Sequence, residues 1–368
     1  MEHSQKIGGR EFFSIIVLAI GTKITSMTPA ILAQSGKNAF WMMPFAGALT
    51  LLAPFLLLLY LLRTYQNKNL MDLIYHLLGK WMGGLVGVVL FLVAFVSLVL
   101  ESRNYLDELS SIFFPQSPQY ALYAVLFIVI LFGARKGLNV IASTSWILTP
   151  FIKVIALILL VLVLKDIVWM RVFPIWGEGM MVTVIEGVKK ASIFGDLFLL
   201  TMAYTSLKST KTFQRSVYIG GAFTLFELTL FFLMYSLFFD YKSIDQVAYP
   251  FHEVTQYISI GMYFTNVEAF FMIFWLFAAF LRFMIYLYFT TWIFAAVFSI
   301  TSFKPLLAVF FFLAIVLGMS INNPIQNVLV YRDMFLTLTT PLFIILPLIL
   351  WAVAKSKGEL ARWRELKV

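Results

Sequence analysis

The sequence contains no cysteine, and its histidine and charged residues are scarce. Among 368 residues there are 0 Cys and 3 His, and Asp, Glu, Lys and Arg together make up 12%. Without cysteine, disulfides, thiolate metal sites and iron–sulfur clusters are excluded. His3, His76 and His252 lie far apart in sequence, which argues against a histidine metal site.

Catalytic signatures are also missing from the sequence. It has no phosphate-binding loop, dinucleotide-binding fingerprint, H-E-x-x-H pair or G-x-S-x-G elbow. No nucleophile–base set is recognisable either. We therefore predict that the protein is not an enzyme and that it uses no cofactor and no metal.

Hydrophobic residues dominate what remains. They make up 61% of the chain, and the mean hydropathy is +0.92, whereas a soluble domain carries roughly 25% charged residues. A soluble fold of this size could not bury so much apolar surface. We predict an all-α integral membrane protein whose surroundings are the lipid bilayer. In such a protein the net charge of +9 indicates orientation rather than nucleic-acid binding.

Ten apolar runs are long enough to be membrane spans. A transmembrane helix needs about 20 predominantly apolar residues, and continuous runs of this kind are typical of helices. The eighth run has no internal glycine or proline, and dividing it would move the basic C-terminal tail to the outer side. We therefore interpret it as one helix. The ten predicted segments are about 12–35, 40–62, 82–104, 119–134, 140–164, 188–207, 216–239, 262–299, 303–319 and 334–354.

The distribution of basic residues predicts the orientation. With ten spans, about twice as many Lys and Arg residues fall on one side as on the other, so the positive-inside rule places both termini in the cytoplasm. The chain is then one transmembrane domain, with repeats at about 10–165 and 185–355 and a basic cytoplasmic tail at 355–368. The alternative is a cleaved signal peptide with Phe12–Ile20 as its apolar core.

Two of the predicted helices are interrupted halfway across the bilayer. Polar residues follow Gly21 in the first, and Pro29 suits the first turn of a new half-helix, with Thr28 as its cap. The sixth is interrupted at Gly195, where Asp196 could cap the second half-helix. Backbone that leaves a helix at this depth must face protein or water. Interruptions at matching places in two five-helix halves are typical of a binding site at the midplane of an inverted repeat.

The interruptions also indicate a ligand class. The N-terminus of a half-helix suits a carboxylate, and carbonyls freed at an interruption suit an ammonium group, so an amino acid fits both. The alternative is that the two glycines serve only close packing or a kink. The predicted ligand-binding residues are Gly21, Thr22, Lys23, Thr25, Ser26, Pro29, Gly195, Asp196 and Thr201.

Ionisable side chains within the spans point to charge coupling. Each would cost roughly 2.5–3.5 kcal/mol if it faced lipid at the helix centre, so most must face inwards or pair. A buried Lys153 could switch its charge with a proton. A permanent salt bridge from Lys153 or Lys23 to Asp196 or Glu227 is the alternative. We predict that Lys153, Glu227 and Arg282 couple charge, and that Glu268 lies near the outer surface.

The chain resembles a known family in several places. The order of ten spans, the stretch from Gly21 through Pro29 to Ala33, the loop 173–179 and the basic tail are similar to the B subunit of GerA-type spore germinant receptors. That family belongs to the amino acid–polyamine–organocation transporter superfamily. The resemblance implies a LeuT-like 5+5 inverted repeat with discontinuous helices 1 and 6. It also implies the inner spore membrane, a nutrient ligand, and A and C subunits as partners.

Two lysines bear on this resemblance. Lys153 resembles the helix-five lysine of some proton-coupled members. Lys23 stands where many relatives have small apolar residues, which favours a different or more anionic ligand. The leading hypothesis is a nutrient-sensing receptor subunit. A proton-coupled amino-acid permease acting alone, and a conduit or scaffold for partners, are the alternatives.

Overall fold

The computed structural model describes residues 6–258 and 267–360. Within these two ranges the chain is helical, and its only bridge between extended segments joins Ile7 and Leu207. The prediction of an all-α protein is therefore confirmed.

The helices follow one another with short connections. Several are extended by 3₁₀ or π turns. In chain order the α-helices are α1 Gly9–Gly21, α2 Thr28–Gly36, α3 Met43–Thr64, α4 Leu70–Glu108, α5 Gln119–Arg135, α6 Leu138–Val163, α7 Met180–Lys189, α8 Asp196–Leu200, α9 Thr210–Phe238, α10 Pro250–Tyr257, α11 Val267–Val297, α12 Leu306–Met319, α13 Pro324–Gln326 and α14 Asp333–Ser356.

Six helical stretches in the described part of the chain are long and apolar enough to cross a membrane. Two further helices, α5 and α12, are apolar but shorter. This supports a membrane protein, while the ten-span arrangement stays a prediction. The six stretches are Thr28–Thr64, Leu70–Phe113, Leu138–Val163, Thr210–Phe238, Glu268–Val297 and Pro324–Ser356.

The eighth predicted segment forms one helix. α11 runs from Val267 to Val297 without an internal break, as its lack of glycine and proline predicts. Its predicted start, 262–266, lies outside the described residues. Glu268, at the start of α11, is half-buried.

Several predicted boundaries are wrong: the third helix starts at Leu70 rather than 82 and the seventh at Thr210 rather than 216, and three other boundaries are wrong near buried charge. The sixth segment begins at Met180 rather than 188, and Lys190 near its middle is buried between Glu186 at 2.9 Å and Asp333 at 3.1 Å. The third predicted helix, which is α4 in the structure, continues to Glu108. The tenth predicted helix starts at Pro324, before the buried Arg332. Hydropathy scores charged residues as unfavourable, so it ends a helix where ion pairs inside the protein permit it to continue.

Helix α1 lies at the centre of the bundle. Its residues from Phe12 to Gly21 are buried apart from the half-buried Phe13. It packs against α9, α6 and α11. A helix that is apolar on all sides is typical of such an interior position. The end of α1 at Gly21 therefore points into protein and not into lipid.

Candidate ligand site at two interrupted helices

The first interruption separates α1 from α2. After Gly21 the chain forms a 3₁₀ turn at Thr22–Ile24, and α2 begins at Thr28 with Pro29 in its first turn. The freed backbone groups bind side chains: the Tyr235 hydroxyl donates to the Ile24 carbonyl at 2.8 Å. A buried carbonyl without such a donor would be costly.

The predicted cap of α2 is wrong in detail. Thr28 belongs to the helix, and its backbone N–H donates to the Ser26 hydroxyl at 3.2 Å. The Thr25 hydroxyl donates to the Thr22 carbonyl at 2.9 Å, and the Thr22 hydroxyl donates to the Leu18 carbonyl at 2.7 Å. At the interruption, where the regular helical hydrogen bonds stop, hydroxyl side chains thus form hydrogen bonds with backbone groups.

The second interruption separates α7 from α8. A 3₁₀ turn at Ala191–Phe194 links them, and a second turn at Thr201–Ser206 follows α8. The Ser192 N–H donates to the Thr340 hydroxyl at 2.9 Å, and the Ser192 hydroxyl donates to the Leu336 carbonyl at 2.6 Å. Helix α14 therefore satisfies the backbone that this interruption leaves open.

Two residues predicted at the second interruption have other roles. A Cβ atom on Gly195 would lie 2.4 Å from Cε2 of Phe343, which fits the alternative of a close-packing glycine. The Thr201 hydroxyl donates to the Phe198 carbonyl at 2.5 Å within its own turn. Asp196 lies in the first turn of α8, and its carboxylate is directed to a lysine rather than to the backbone.

Lys23 joins the two interruptions. Its Nζ lies 2.6 Å from Oδ2 of Asp196 and also donates to the Ile193 carbonyl. The Lys23 side chain is 2% exposed. The ammonium group of Lys23 thus donates a hydrogen bond to a carbonyl group at the interruption. A ligand's amino group was expected to bind such a carbonyl. This is the salt-bridge alternative of the sequence analysis.

A second ion pair lies beside the end of α1. Nζ of Lys153 on α6 contacts Oε1 of Glu227 on α9. A Cβ atom on Gly21 would lie 2.4 Å from Oε2 of Glu227 and 3.2 Å from Nζ of Lys153. Gly21 therefore leaves room for this pair against the helix end.

Replacing Gly21 by alanine is expected to displace the Lys153–Glu227 pair, because the added methyl group would overlap the buried carboxylate of Glu227. The cost of such overpacking is about 1–3 kcal/mol, which would appear as a lower thermal unfolding temperature of the purified protein. Gly84→Ala is the matched control. Its Cβ would meet nothing closer than 3.8 Å, so the unfolding temperature should stay the same or rise slightly. Equal unfolding temperatures for both variants would contradict the role given to Gly21.

A small buried cavity opens beside the first interruption. The space that the centre of a water molecule can occupy in it is about 20 Å³, which is room for one or two water molecules. Of the predicted ligand-binding residues, Thr22, Thr25 and Ser26 line it, whereas Gly21, Lys23, Pro29, Gly195, Asp196 and Thr201 do not. The other walls come from α4 and α11 and are formed by Glu101, Asn104, Tyr105, Glu108, Trp275, Ala279, Arg282 and Phe283.

One part of the cavity carries excess positive charge. Oε2 of Glu101 lies 3.0 Å from Nη2 of Arg282, and Oε1 contacts Arg332. The three side chains are between 5% and 8% exposed. One carboxylate thus faces two guanidinium groups, which leaves a net positive charge on these three side chains where water screens it little, although Arg332 lies outside the cavity lining.

Another part of the cavity presents a carboxylate. Oε1 of Glu108 lies 3.1 Å from Nε2 of His252 on α10, and both side chains are 1% exposed. Among the described residues, both Glu108 oxygens, Oδ1 of Asn104 and Nε of Arg282 make no hydrogen bond of good geometry. Buried polar atoms of this kind require a partner. The cavity therefore offers donors and acceptors suited to a small polar molecule.

The acidic wall of this cavity was not among the predicted site residues. Glu101, Asn104, Tyr105 and Glu108 follow the spacing i, i+3, i+4 and i+7, which places them on one face of a helix. The predicted end of the third helix at 104 cut this pattern in two. The spacing itself was visible in the sequence and is the signal that could have identified these residues.

Comparison with known proteins gives one consistent result. A family model described as "Spore germination protein" matches residues 6–327. The spore germination protein YndE of Bacillus subtilis (strain 168) is 21% identical over 354 residues, which cover 94% of this chain and 95% of that protein. YfkT of the same organism is 22% identical over 208 residues, 56% of each chain. The matched region includes both interruptions and every residue that lines the cavity.

Proposed function

This chain belongs to the spore germination protein family, and from that premise we propose that it is the nutrient-sensing membrane subunit of a germinant receptor. A small nutrient, most simply an amino acid, binds at the cavity beside the interruption of α1, and the cavity widens to admit it, since its volume in this structure suits only water. The observation that carries the proposal is the pairing of opposite charges around one cavity: the guanidinium of Arg282 and the carboxylate of Glu108 both line it.

The charge distribution favours a zwitterion. The two arginines that face Glu101 leave positive charge for a ligand's carboxylate, and the free oxygens of Glu108 suit an ammonium group. Ligand binding would shift the protein between two states only if the ligand binds one of them better. A ligand that adds hydrogen bonds to Arg282 and Glu108 in one state only would meet this condition, because buried polar atoms of both side chains make no hydrogen bond of good geometry.

We further propose a ten-helix fold of two inverted five-helix repeats. The pairwise packing supports it, since contacts in one half have counterparts in the other. Helix α12 packs on α4 as α5 packs on α11, and α4 packs on α11 between them. Helix α6 packs on α1 as α14 packs on the turn Ala191–Phe194. Corresponding contacts of this kind are expected when both halves have the same arrangement of helices.

Location and partners follow from the family resemblance. We propose the inner spore membrane, both termini in the cytoplasm, and A and C receptor subunits as partners. The N-terminal segment lies with the end of the sixth predicted helix, because Nζ of Lys6 donates to the Thr205 carbonyl at 2.6 Å. Basic residues at 208 and 211 follow directly. This cluster of positive charge supports a cytoplasmic position for the N-terminus.

A proton-coupled permease acting alone is the second candidate. The Lys153–Glu227 pair beside the end of α1 favours it, because the loss or gain of one proton there would change the charge next to the interruption. Uptake into proteoliposomes separates the two functions. Accumulation driven by a pH gradient with this chain alone would favour the permease, and saturable binding without accumulation would favour the receptor.

Replacing Glu108 by glutamine is expected to weaken amino-acid binding to the purified protein. A hydrogen bond to a charged group contributes about 1.5–3 kcal/mol, so the dissociation constant should rise roughly 10- to 150-fold. The measurement is calorimetric binding of a panel of amino acids. Glu253→Gln is the matched control, since Glu253 is on α10 beside His252 and outside the cavity lining. Unchanged affinity in Glu108→Gln would rule out the proposed ammonium site.

A further inference from the structure

A groove on the molecule combines two guanidinium groups with apolar walls. It measures about 440 Å³ and lies where the N-terminal turns of α1 and α9 meet α6. None of its lining residues lines the ligand cavity. The lining is formed by Gly9, Arg10, Phe13, Trp146, Thr212, Arg215, Ser216 and Ile219.

The two arginines of this groove are available for an anion. Arg10 and Arg215 are exposed, and neither forms an ion pair with another described residue. The guanidinium of Arg10 lies 5.8 Å from the centre of the Trp146 ring, which holds it over the groove. Glu11, the acidic residue nearest in sequence, is outside the lining.

The residues of this groove are of the kind found at the boundary of a membrane. Helices α6 and α9 coincide with candidate spans, and Arg215 is in the second turn of α9. Tryptophan and arginine at the end of a span are typical of the level of the lipid headgroups. Further along α6 and α9 the surface is apolar: Ile147 is 60% exposed and Ile219 is 49% exposed.

We propose that this groove binds an anionic phospholipid. Arg10 and Arg215 hold the phosphate, for which the planar guanidinium is well suited. The acyl chains lie on the apolar surface that begins at Phe13 and Ile219. A free phosphate would contact apolar walls on much of its surface, whereas a phospholipid matches both ends of the groove. Basic pockets between membrane helices bind anionic headgroups in this way.

Lipid titration tests this proposal. The full-length protein in detergent is titrated with phosphatidylglycerol and, separately, with phosphatidylcholine and inorganic phosphate, and bound lipid is counted by native mass spectrometry. We expect the wild type to prefer phosphatidylglycerol. In the double variant Arg10→Gln/Arg215→Gln its affinity should fall roughly 30-fold, about fivefold for each guanidinium.

Matched variants distinguish lipid binding at this groove from a general attraction of anionic lipid to exposed basic residues. Arg63→Gln removes the same charge from the exposed end of α3 and should bind phosphatidylglycerol like the wild type. The double lysine variant should bind better than the double glutamine variant, because it keeps both charges. The single variant Arg215→Gln gives the same test if the double variant does not fold. Equal loss in Arg63→Gln, equal binding of phosphatidylcholine, or full competition by inorganic phosphate would each overturn the proposal.

Discussion

Replacing Lys23 by alanine is expected to destabilise the protein by about 3–5 kcal/mol, because removing one partner of a buried ion pair leaves the other charge uncompensated. Lys23 is 2% exposed and lies 2.6 Å from Asp196, whose side chain is 11% exposed. The same change removes the donor to the Ile193 carbonyl in the second interruption. Thermal unfolding of the purified protein in detergent is the measurement.

A rescue variant makes this prediction specific. The double variant Lys23→Ala/Asp196→Ala removes both charges and should recover a large part of the lost stability. Lys189→Ala is the matched control, since that ammonium is 51% exposed in its pair with Glu186 and an exposed pair contributes about 0–1 kcal/mol. If Lys23→Ala unfolds at the same temperature as Lys189→Ala, the buried pair does not hold the two interruptions together.

Replacing Glu101 by glutamine is expected to have a comparably large effect, because it leaves two buried guanidinium groups facing each other without a carboxylate. Breaking a buried charge network in this way costs about 3–5 kcal/mol. It should also change amino-acid affinity, since Arg282 and Glu101 both line the cavity. Unfolding temperature and calorimetric binding are measured on the same preparation.

The network predicts an asymmetry between its members. Arg332→Gln should cost less than Glu101→Gln, because Glu101 and Arg282 remain paired at 3.0 Å. Glu178→Gln, in an exposed loop, is the control for loss of a carboxylate. Equal destabilisation by Glu101→Gln and Glu178→Gln would show that the carboxylate of Glu101 is not the centre of this network.

Much of the fold could be predicted from the sequence because membrane insertion depends on local composition. A long apolar run between polar residues predicts a helix wherever it occurs. The described part of the run at 262–299 is one helix, Val267–Val297, as predicted from its lack of glycine and proline and from the distribution of basic residues. The boundary near Arg332 was wrong because its neutralising partner, Glu101, is distant in sequence, and Lys190 likewise has a distant partner, Asp333, besides its neighbour Glu186. A hydropathy pattern contains no information about such partners.

The candidate site, too, could be predicted only in part from the sequence. The polar residues after Gly21 indicated an interrupted helix, and Thr22, Thr25 and Ser26 do line a cavity. Gly195 and Thr201, chosen by analogy with the first interruption, instead pack against Phe343 and bond within a turn. A glycine or hydroxyl residue in a sequence does not reveal which way the chain faces at that point.

By itself the sequence determined that this protein lies in a membrane, that it is helical, and that charged side chains occur among its apolar runs. It also placed a break after Gly21, since glycine, polar residues and proline disfavour a continuous helix locally. Only the tertiary structure decided which charges meet. Lys23 pairs with Asp196, which is 173 positions further along the sequence, and Glu101 rather than Asp196 faces the cavity. Electrostatic partners are set by distance in space, and in a bundle that distance depends on how every helix packs.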